Sequence, residues 1–450
     1  MSTTSLTSVD IGSVIDTRSV RVVFQPIFDL RTMQVVGMEA FARGPAGTDL
    51  ESPGALFSQA AAVGRVAELD WVCRAAAFRA VLEAGLPPSL SVFVNAEPES
   101  LGPECPADLR ADIGRAEAQL RVFVEVNDNA LVADPAGLVA AVDRARSMGW
   151  GVAVDDVGAR RGTVVLLPVL HADVVKIVVG LLQNASPFDS AALVTSALRH
   201  AERTGAAICV ERIESEESLT WAQAIGATYG QGNHLAPPGP LPDVVAAPRV
   251  PVPLVAPSTG DVPVASPLGL LPDLEPRRVE RLSFLDLARM VAFGTIATGA
   301  APVVLVNLGR HPLDREFSAS FPDAVTPVLY VLFGTEVSGE SPPGMRFVRL
   351  DRGDSWADVE FSVQINEKGG SALIGETLPD GALERYLTQD VEVVHAIVRH
   401  IVRRVPPSGG DNLALPLPVF DPVEDDELTQ DAGEDVSADA GRRGIFGRRR

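Results

Sequence analysis

Six short apolar runs in the first half of the chain each end in a side chain able to do chemistry, and that repetition constrains the fold more than any other feature. VVGMEAFAR carries Glu39, SVFVNAEP carries Asn95, and VFVEVND carries Glu125. GVAVDDVG carries Asp155 with Asp156, ADVVKIVV carries Lys176, and AAICVERIE carries Glu211. A weaker strand before ATYGQG adds Gln231. Continuous apolar runs that alternate with helices predict a parallel sheet buried on both faces. Polar residues at the C-terminal ends of such strands collect at one mouth of a (β/α)8 barrel, where that architecture keeps its active sites. One strand-end carboxylate is ordinarily a solvated loop residue. Five, joined by an Asn, a Gln and a Lys in the same placement, make a site.

At 450 residues the chain exceeds one ordinary core and predicts more than one domain. Residues 1–19 are polar and read as a flexible N-terminus; a barrel is expected over 20–238. Within it, GALFSQAAAVGRVAELDWVCRAAAFRAVLEAG and AGLVAAVDRARSMG read as helices, the second capped by Asp134 with Pro135 at its first position. Asn95, Glu125 and Asp155 are spaced thirty residues apart, the length of a βα unit. Twelve prolines fall between Pro237 and Pro276, so 239–280 reads as an extended linker. Residues 281–406 read as a small α/β domain, with a turn at Gly369-Gly370 and ALERYLTQDVEVVHAIVRHIVRRV as its closing helix. Its histidines, His311, His395 and His400, lack metal-ligand spacing and are expected at the surface or at a boundary. Residues 407–450 form an acidic tail with a basic end and read as disordered.

The net charge of −21 argues against long nucleic acid as a partner, because phosphate binding needs a basic surface. No apolar stretch approaches the roughly 20 residues of a membrane span. The N-terminal residues lack a basic start and apolar core, and the three cysteines (Cys73, Cys105, Cys209) are scattered. A cytoplasmic protein without disulfides is expected. The candidate site is an all-oxygen donor set suited to Mg²⁺ or Mn²⁺ rather than zinc or copper. Adjacent Asp155 and Asp156 can place a carboxylate between two ions, and Lys176 can hold a water or offset phosphoryl charge. The class this predicts is metal-assisted phosphoester hydrolysis, with other metal-dependent barrel chemistry still open.

These residues, in order, resemble the EAL domain, the family of bacterial cyclic di-GMP phosphodiesterases. FQPIFDL looks like the opening strand, Glu39-Ala40-Phe41 with Arg43 stands where the naming Glu-Ala-Leu and its Arg would be, and Asn95 matches a strand-end Asn. Glu125 matches the Glu of E-x-x-E, and Asp155-Asp156-Val157-Gly158 matches D-D-F-G. Lys176 matches the Lys of K-I-D, Glu211 the Glu of A-E-G-V-E, and Gln231-Gly232 the late Q-G. The resemblance implies a TIM-like barrel that binds cyclic di-GMP and cuts it to linear pGpG. It implies one Mg or Mn ion on Glu39, Asn95, Glu125 and Asp155, and a second on Asp155, Asp156 and Glu211. Lys176, Glu211 and Gln231 would serve catalysis, Gln25 and Arg43 would bind substrate, and a homodimer through this domain would follow. No diguanylate cyclase signature (GG-D/E-E-F) is present, so synthesis is not expected.

The chain departs from the family pattern at several points. Asp128 replaces the second Glu of E-x-x-E, Ala159-Arg160-Arg161-Gly162 replaces T-G-Y-S, Val178 replaces the Asp of K-I-D, and Arg212 replaces a Gly. These changes support an alternative in which the barrel is a cyclic di-GMP receptor or an interaction scaffold. The C-terminal domain more loosely resembles the DICT domain, a sensory module, which implies regulation of the barrel by a signal.

Overall fold

The computed structural model describes residues 7–97, 100, 105–127, 132–158, 163–180, 187–255, 264–271, 274–298, 303–312, 327–337 and 345–407. Asp128, the loop 159–162 and nearly all of the expected tail lie outside the described residues. Helix α1 (Ile11–Asp16), capped by Asp10, leads into a hairpin of β1 (Arg21–Asp29) and β2 (Gln34–Arg43). Helices α2 (Pro53–Ala62) and α3 (Val66–Ala84) follow, then β3 (Ser91–Asn95), α4 (Arg110–Gln119) and β4 (Arg121–Asn127). The chain continues through α5 (Pro135–Ser147), β5 (Gly151–Asp155), a 3₁₀ turn (Thr163–Leu166), α6 (Leu167–Leu170) and β6 (Val174–Val178). It ends this half with α7 (Pro187–Thr204), β7 (Ala207–Glu211), α8 (Glu216–Ala224) and β8 (Tyr229–Gly230).

Strands β1 to β8 close into a barrel, as the alternating pattern predicts. β2 to β8 run parallel, whereas β1 pairs antiparallel with both β2 and β8. The four residues between Asp29 and Gln34 allow only a hairpin return, since a parallel crossover needs a dozen or more. Asp134 caps α5 by accepting from the Gly137 amide, with Pro135 first, as expected. The long helix expected after Gly54 is instead two, broken where Gly64 takes φ +70°.

Inward positions alternate along each strand, so one apolar layer sits two residues below the polar one. Phe93, Phe123, Ala153, Val174, Ala207, Cys209 and Tyr229 belong to this inner core, with the Phe93 and Phe123 rings stacked 4.8 Å apart. Room for those rings comes from two inward glycines. A Cβ on Gly37 would lie 2.8 Å from the Phe93 ring, and one on Gly151 would lie 2.4 Å from Phe123.

Val252 joins the same core with no exposed surface. The Arg121 guanidinium donates to the Val252 carbonyl at 3.1 Å, and the Val255 amide donates to Asp173. Arg121 and Asp173 lie at the N-terminal ends of β4 and β6, so the proline-rich segment seals the barrel floor, opposite the strand C-terminal ends. The part of it that these contacts reach is packed.

The second half forms a seven-stranded sheet in the order β12-β11-β10-β13-β14-β15-β9. These strands are β9 (Arg277–Val279), β10 (Val303–Asn307), β11 (Leu329–Gly334), β12 (Met345–Arg349), β13 (Val359–Asn366), β14 (Gly369–Thr377) and β15 (Leu383–Thr388). Helix α9 (Arg281–Thr298) covers one face through Phe284 against Leu373 and Leu383. Helix α10 (Val391–Val402) covers the other through Val394, Ile397 and Ile401.

Two expectations need correction here. The turn falls at Glu367-Lys368 rather than at Gly369-Gly370, because Asn366 Oδ1 accepts from the Lys368 and Gly369 amides. Leu383–Thr388 is an edge-side strand rather than the start of the last helix, which begins only where Asp390 caps it. α10 also packs against the barrel helices α5 and α6. There Arg399, buried, donates to the Val169 carbonyl and to Asp143, and Arg403 reaches the same carboxylate at 2.9 Å.

Candidate active site

Six of the site residues sit two places beyond an apolar inward residue, at the open mouth of the barrel. β3 brings Asn95 above Phe93, β4 brings Glu125 above Phe123, β5 brings Asp155 above Ala153, and β6 brings Lys176 above Val174. Glu211 follows Cys209 on β7, and Gln231 follows Tyr229 after β8. Strand register then sets neighbours: Asn95 lies opposite Glu125, Val178 opposite Glu211, and Gln25 opposite Glu39.

Lys176 is fully buried at the centre of this ring. Its Nζ lies 2.6 Å from Glu125, 2.6 Å from Glu211, 2.9 Å from Glu39 and 3.6 Å from Asp155. With Asp156 there are five acidic side chains to one ammonium, two of them buried (Glu39 and Glu125) and three half-buried. Burial and the neighbouring Glu39 charge push the Glu125 carboxyl well above the usual range. Burial, then the charge of Asp155, does the same to Glu211. Asp155 is held low: burial opposes this, but Lys176 and a hydrogen bond from Glu211 outweigh it. Lys176 is held charged against its own burial by Asp155, Glu125, Glu211 and Glu39. Asp156 is raised by burial and by Asp155, with Arg212 opposing.

Two observations test whether these residues fit a divalent cation. Among the described residues, no hydrogen-bond donor reaches buried Glu125 Oε2 or Gln231 Oε1. Asp155, Asp156 and Glu211 each present one oxygen, all within 4.8 Å of one another. An oxygen-only donor set with surplus charge and orphaned acceptors suits a hard cation. The residues fit.

Gln231 Nε2 donates to Gln25 Oε1 at 3.0 Å, and Gln25 Nε2 donates to the Ala236 carbonyl at 3.0 Å. This amide chain across β1 and β8 was not legible as a connection, because it depends on the antiparallel closure. Arg43 lies beyond Glu39 on the same face of β2, its guanidinium 5.9 Å from the Phe41 ring and donating to the Ala42 carbonyl at 3.0 Å. Asp156 and Arg212 take positive φ, +52° and +54°, an uncommon backbone conformation for such residues. The strain falls beside the paired acids, the kind of place where it clusters.

Residues 10–238, just over half of the chain, match the family described as the EAL domain. The chain belongs to the EAL-domain family. Uncharacterized proteins share sequence with it, among them these two. One, from Mycobacterium tuberculosis, is 32% identical over 169 residues, 36% of this chain and 27% of its own length. The other, from Sinorhizobium fredii, is 27% identical over 227 residues, 49% of this chain and 26% of its own length. The chain therefore spans about a quarter of the length of these relatives.

Among solved structures, the PaMucR phosphodiesterase in complex with c-di-GMP is 23% identical, with 51% of this chain and 96% of that one covered and a TM-score of 0.43. BlrP1 of Klebsiella pneumoniae, solved with manganese and cy-diGMP, is 25% identical, with 49% and 56% covered and a TM-score of 0.42. The EAL barrel is thus established by the family match and by its own closed sheet. Among the described residues no helix is long and apolar enough to cross a membrane.

Proposed function

We propose that this EAL barrel hydrolyses cyclic di-GMP to linear pGpG at the mouth formed by Glu39, Asn95, Glu125, Asp155, Asp156, Lys176, Glu211 and Gln231. The observation that carries this reading is the set of four carboxylates around buried Lys176, with Glu39 and Glu125 themselves buried and Glu125 Oε2 without a donor among the described residues. One Mg²⁺ or Mn²⁺ would be held by Glu39, Asn95, Glu125 and Asp155, and a second by Asp155, Asp156 and Glu211. Such ions, when bound, supply a nucleophilic water at neutral pH and offset charge on the phosphoryl oxygens.

The chain's own groups do the remaining work. Lys176, fixed by four acids, keeps a positive charge beside the reacting phosphate. Gln231, held by Gln25, has an Oε1 without a partner among the described residues that can accept a water proton's hydrogen bond. Arg43, at the rim, binds a substrate phosphate. The C-terminal DICT-like domain, docked through α10 on α5 and α6, regulates the barrel, and a homodimer forms through the EAL domain.

The test is incubation of the full chain with cyclic di-GMP and Mn²⁺, with Glu39→Ala alongside and the nucleotides separated by chromatography. pGpG should appear with the wild type and be lost in the variant while its fold is retained. Intact dinucleotide with the wild type, or activity retained in the variant, would sink the assignment.

A second reading is favoured by the Arg212 charge acting on Asp156 beside an inward-facing Val178. In that reading the barrel is a receptor that binds the dinucleotide without cutting it. Binding undiminished by EDTA, with no pGpG formed, would select it.

A further inference from the structure

Lysine is nearly absent from this chain: of its 38 basic residues, only Lys176 and Lys368 are lysines. The first sits at the centre of the candidate active site. The second stands exposed in the turn between β13 and β14, held there by the hydrogen bonds from its own amide (2.8 Å) and that of Gly369 (3.1 Å) to Asn366 Oδ1.

That turn lines a cavity of about 90 Å³ between the C-terminal sheet and the barrel. Arg199, His200 and Arg203 line it from α7, and Glu367, Lys368 and His395 from the other side. Arg203 is neutralised by Glu392 at 3.1 Å and also donates to His395 Nδ1 at 3.2 Å. Arg199 donates to the Glu367 backbone carbonyl, which carries no formal charge. Three cations against Glu367 and Glu392 leave the cavity positive in a chain of net charge −21.

His200 supplies the second, independent pointer. It is 3% exposed, its Nε2 faces the Ala172 carbonyl at 3.4 Å, and its Nδ1 has no hydrogen-bond partner among the described residues. Burial pushes its pKa down to about 4, so at neutral pH it is uncharged. With Nε2 protonated toward the carbonyl, Nδ1 is an acceptor that lacks a donor, a costly state for a buried group.

We propose that this cavity binds a hydrogen-phosphate-class oxyanion, its charged oxygens on Arg199 and Lys368 and its P–OH donating to His200 Nδ1. One ligand then satisfies both the positive charge and the orphaned acceptor. At roughly 10–15 Å³ per water by this measure, the volume accommodates several waters, enough for one phosphate group and too small for a nucleoside. The cavity wall includes Val164, Val165 and Pro168, on the segment that follows Asp155-Asp156. It also includes α7, which follows β6 and Lys176. Occupancy therefore bears on elements that lead from the catalytic mouth.

The experiment is calorimetric titration of the full chain with inorganic phosphate at pH 7 in EDTA, alongside Lys368→Gln. Because Lys368 is exposed on a turn, this variant should fold as the wild type does. The wild type should bind one phosphate saturably, the variant about tenfold more weakly, as expected for loss of one charge-assisted hydrogen bond. Sulfate, which carries no proton at this pH, should bind more weakly than phosphate.

Amine acylation followed by peptide mapping gives a second readout, because Lys176 is fully buried and Lys368 is exposed. Phosphate should protect Lys368. The proposal is overturned by absence of saturable binding, by equal affinity in Lys368→Gln, by sulfate binding as tightly as phosphate, or by phosphate binding that leaves Lys368 unprotected. Equal affinity for guanosine monophosphate would overturn the assignment to a free phosphate.

Discussion

Replacing Lys176 with Met isolates the electrostatic design of the mouth. Methionine fills nearly the same volume without charge, so the packing above Val174 is kept and only the ammonium is lost. Two carboxylate oxygens at 2.6 Å, one at 2.9 Å and one at 3.6 Å then face one another with no cation between them. Removing one partner of a buried ion pair costs about 3–5 kcal/mol.

The four contacts do not multiply that figure, because Glu125 and Glu211 already titrate high and take up protons instead. At about 2–4 °C per kcal/mol for a domain of this size, melting in EDTA should fall by about 6–20 °C. Mn²⁺ should restore more stability to the variant than it adds to the wild type, because it supplies the missing positive charge.

The sign of the pH effect follows from the raised carboxyls. Between their unfolded values near 4.3 and their raised folded values, the folded state binds more protons, so stability rises as pH falls through that window. The gap between variant and wild type should therefore narrow from pH 8 to pH 5. Thermal unfolding by intrinsic fluorescence in EDTA, with and without excess Mn²⁺, measures all three quantities. A variant that melts within 2 °C of the wild type in EDTA, or gains no more from Mn²⁺, would refute the reasoning.

Val178→Asp places a sixth carboxylate opposite Glu211 in register; it should tighten Mn²⁺ binding and lower metal-free melting, and calorimetry showing unchanged affinity would remove Val178 from the site. Arg399→Ala leaves the buried Val169 carbonyl without its charged donor and should cost about 2–3 kcal/mol in thermal unfolding. A loss below about 1 kcal/mol would mean that water replaces the guanidinium. Burial pushes His395 down to about 3, against an unfolded value near 6.5. Its contribution is therefore complete above pH 6.5 and lost as pH falls, by up to about 1.4 kcal/mol per unit. His395→Phe should flatten the decline in melting temperature between pH 6.5 and 4.5, and an unaltered slope would contradict this.

The mouth was legible because a strand in a closed barrel alternates strictly, so an apolar run ending in a carboxylate fixes both its face and its height. Connections between strands were not legible, since Gln25 meets Gln231 only through the antiparallel closure of β1 on β8. Leu383–Thr388 was misread because its apolar residues run into the amphipathic pattern after Asp390, and pairing with β14 overrides the apparent helix. The split between α2 and α3 hinged on Gly64, a residue that a helix interior tolerates at modest cost. The proline content of 239–280 predicts an extended course. Composition describes how a chain runs, though, and cannot say what it runs along.

That last point bears on where a working unit ends. The family match stops at residue 238, yet Val252, fourteen positions later, completes the packing beneath Phe123. A fragment trimmed to the matched span would uncover the apolar floor and strip Asp173 and Arg121 of their partners from the proline-rich segment. The heritable module and the smallest stable piece of this protein are therefore different lengths of chain. Anyone isolating the barrel should carry the cut past Val255.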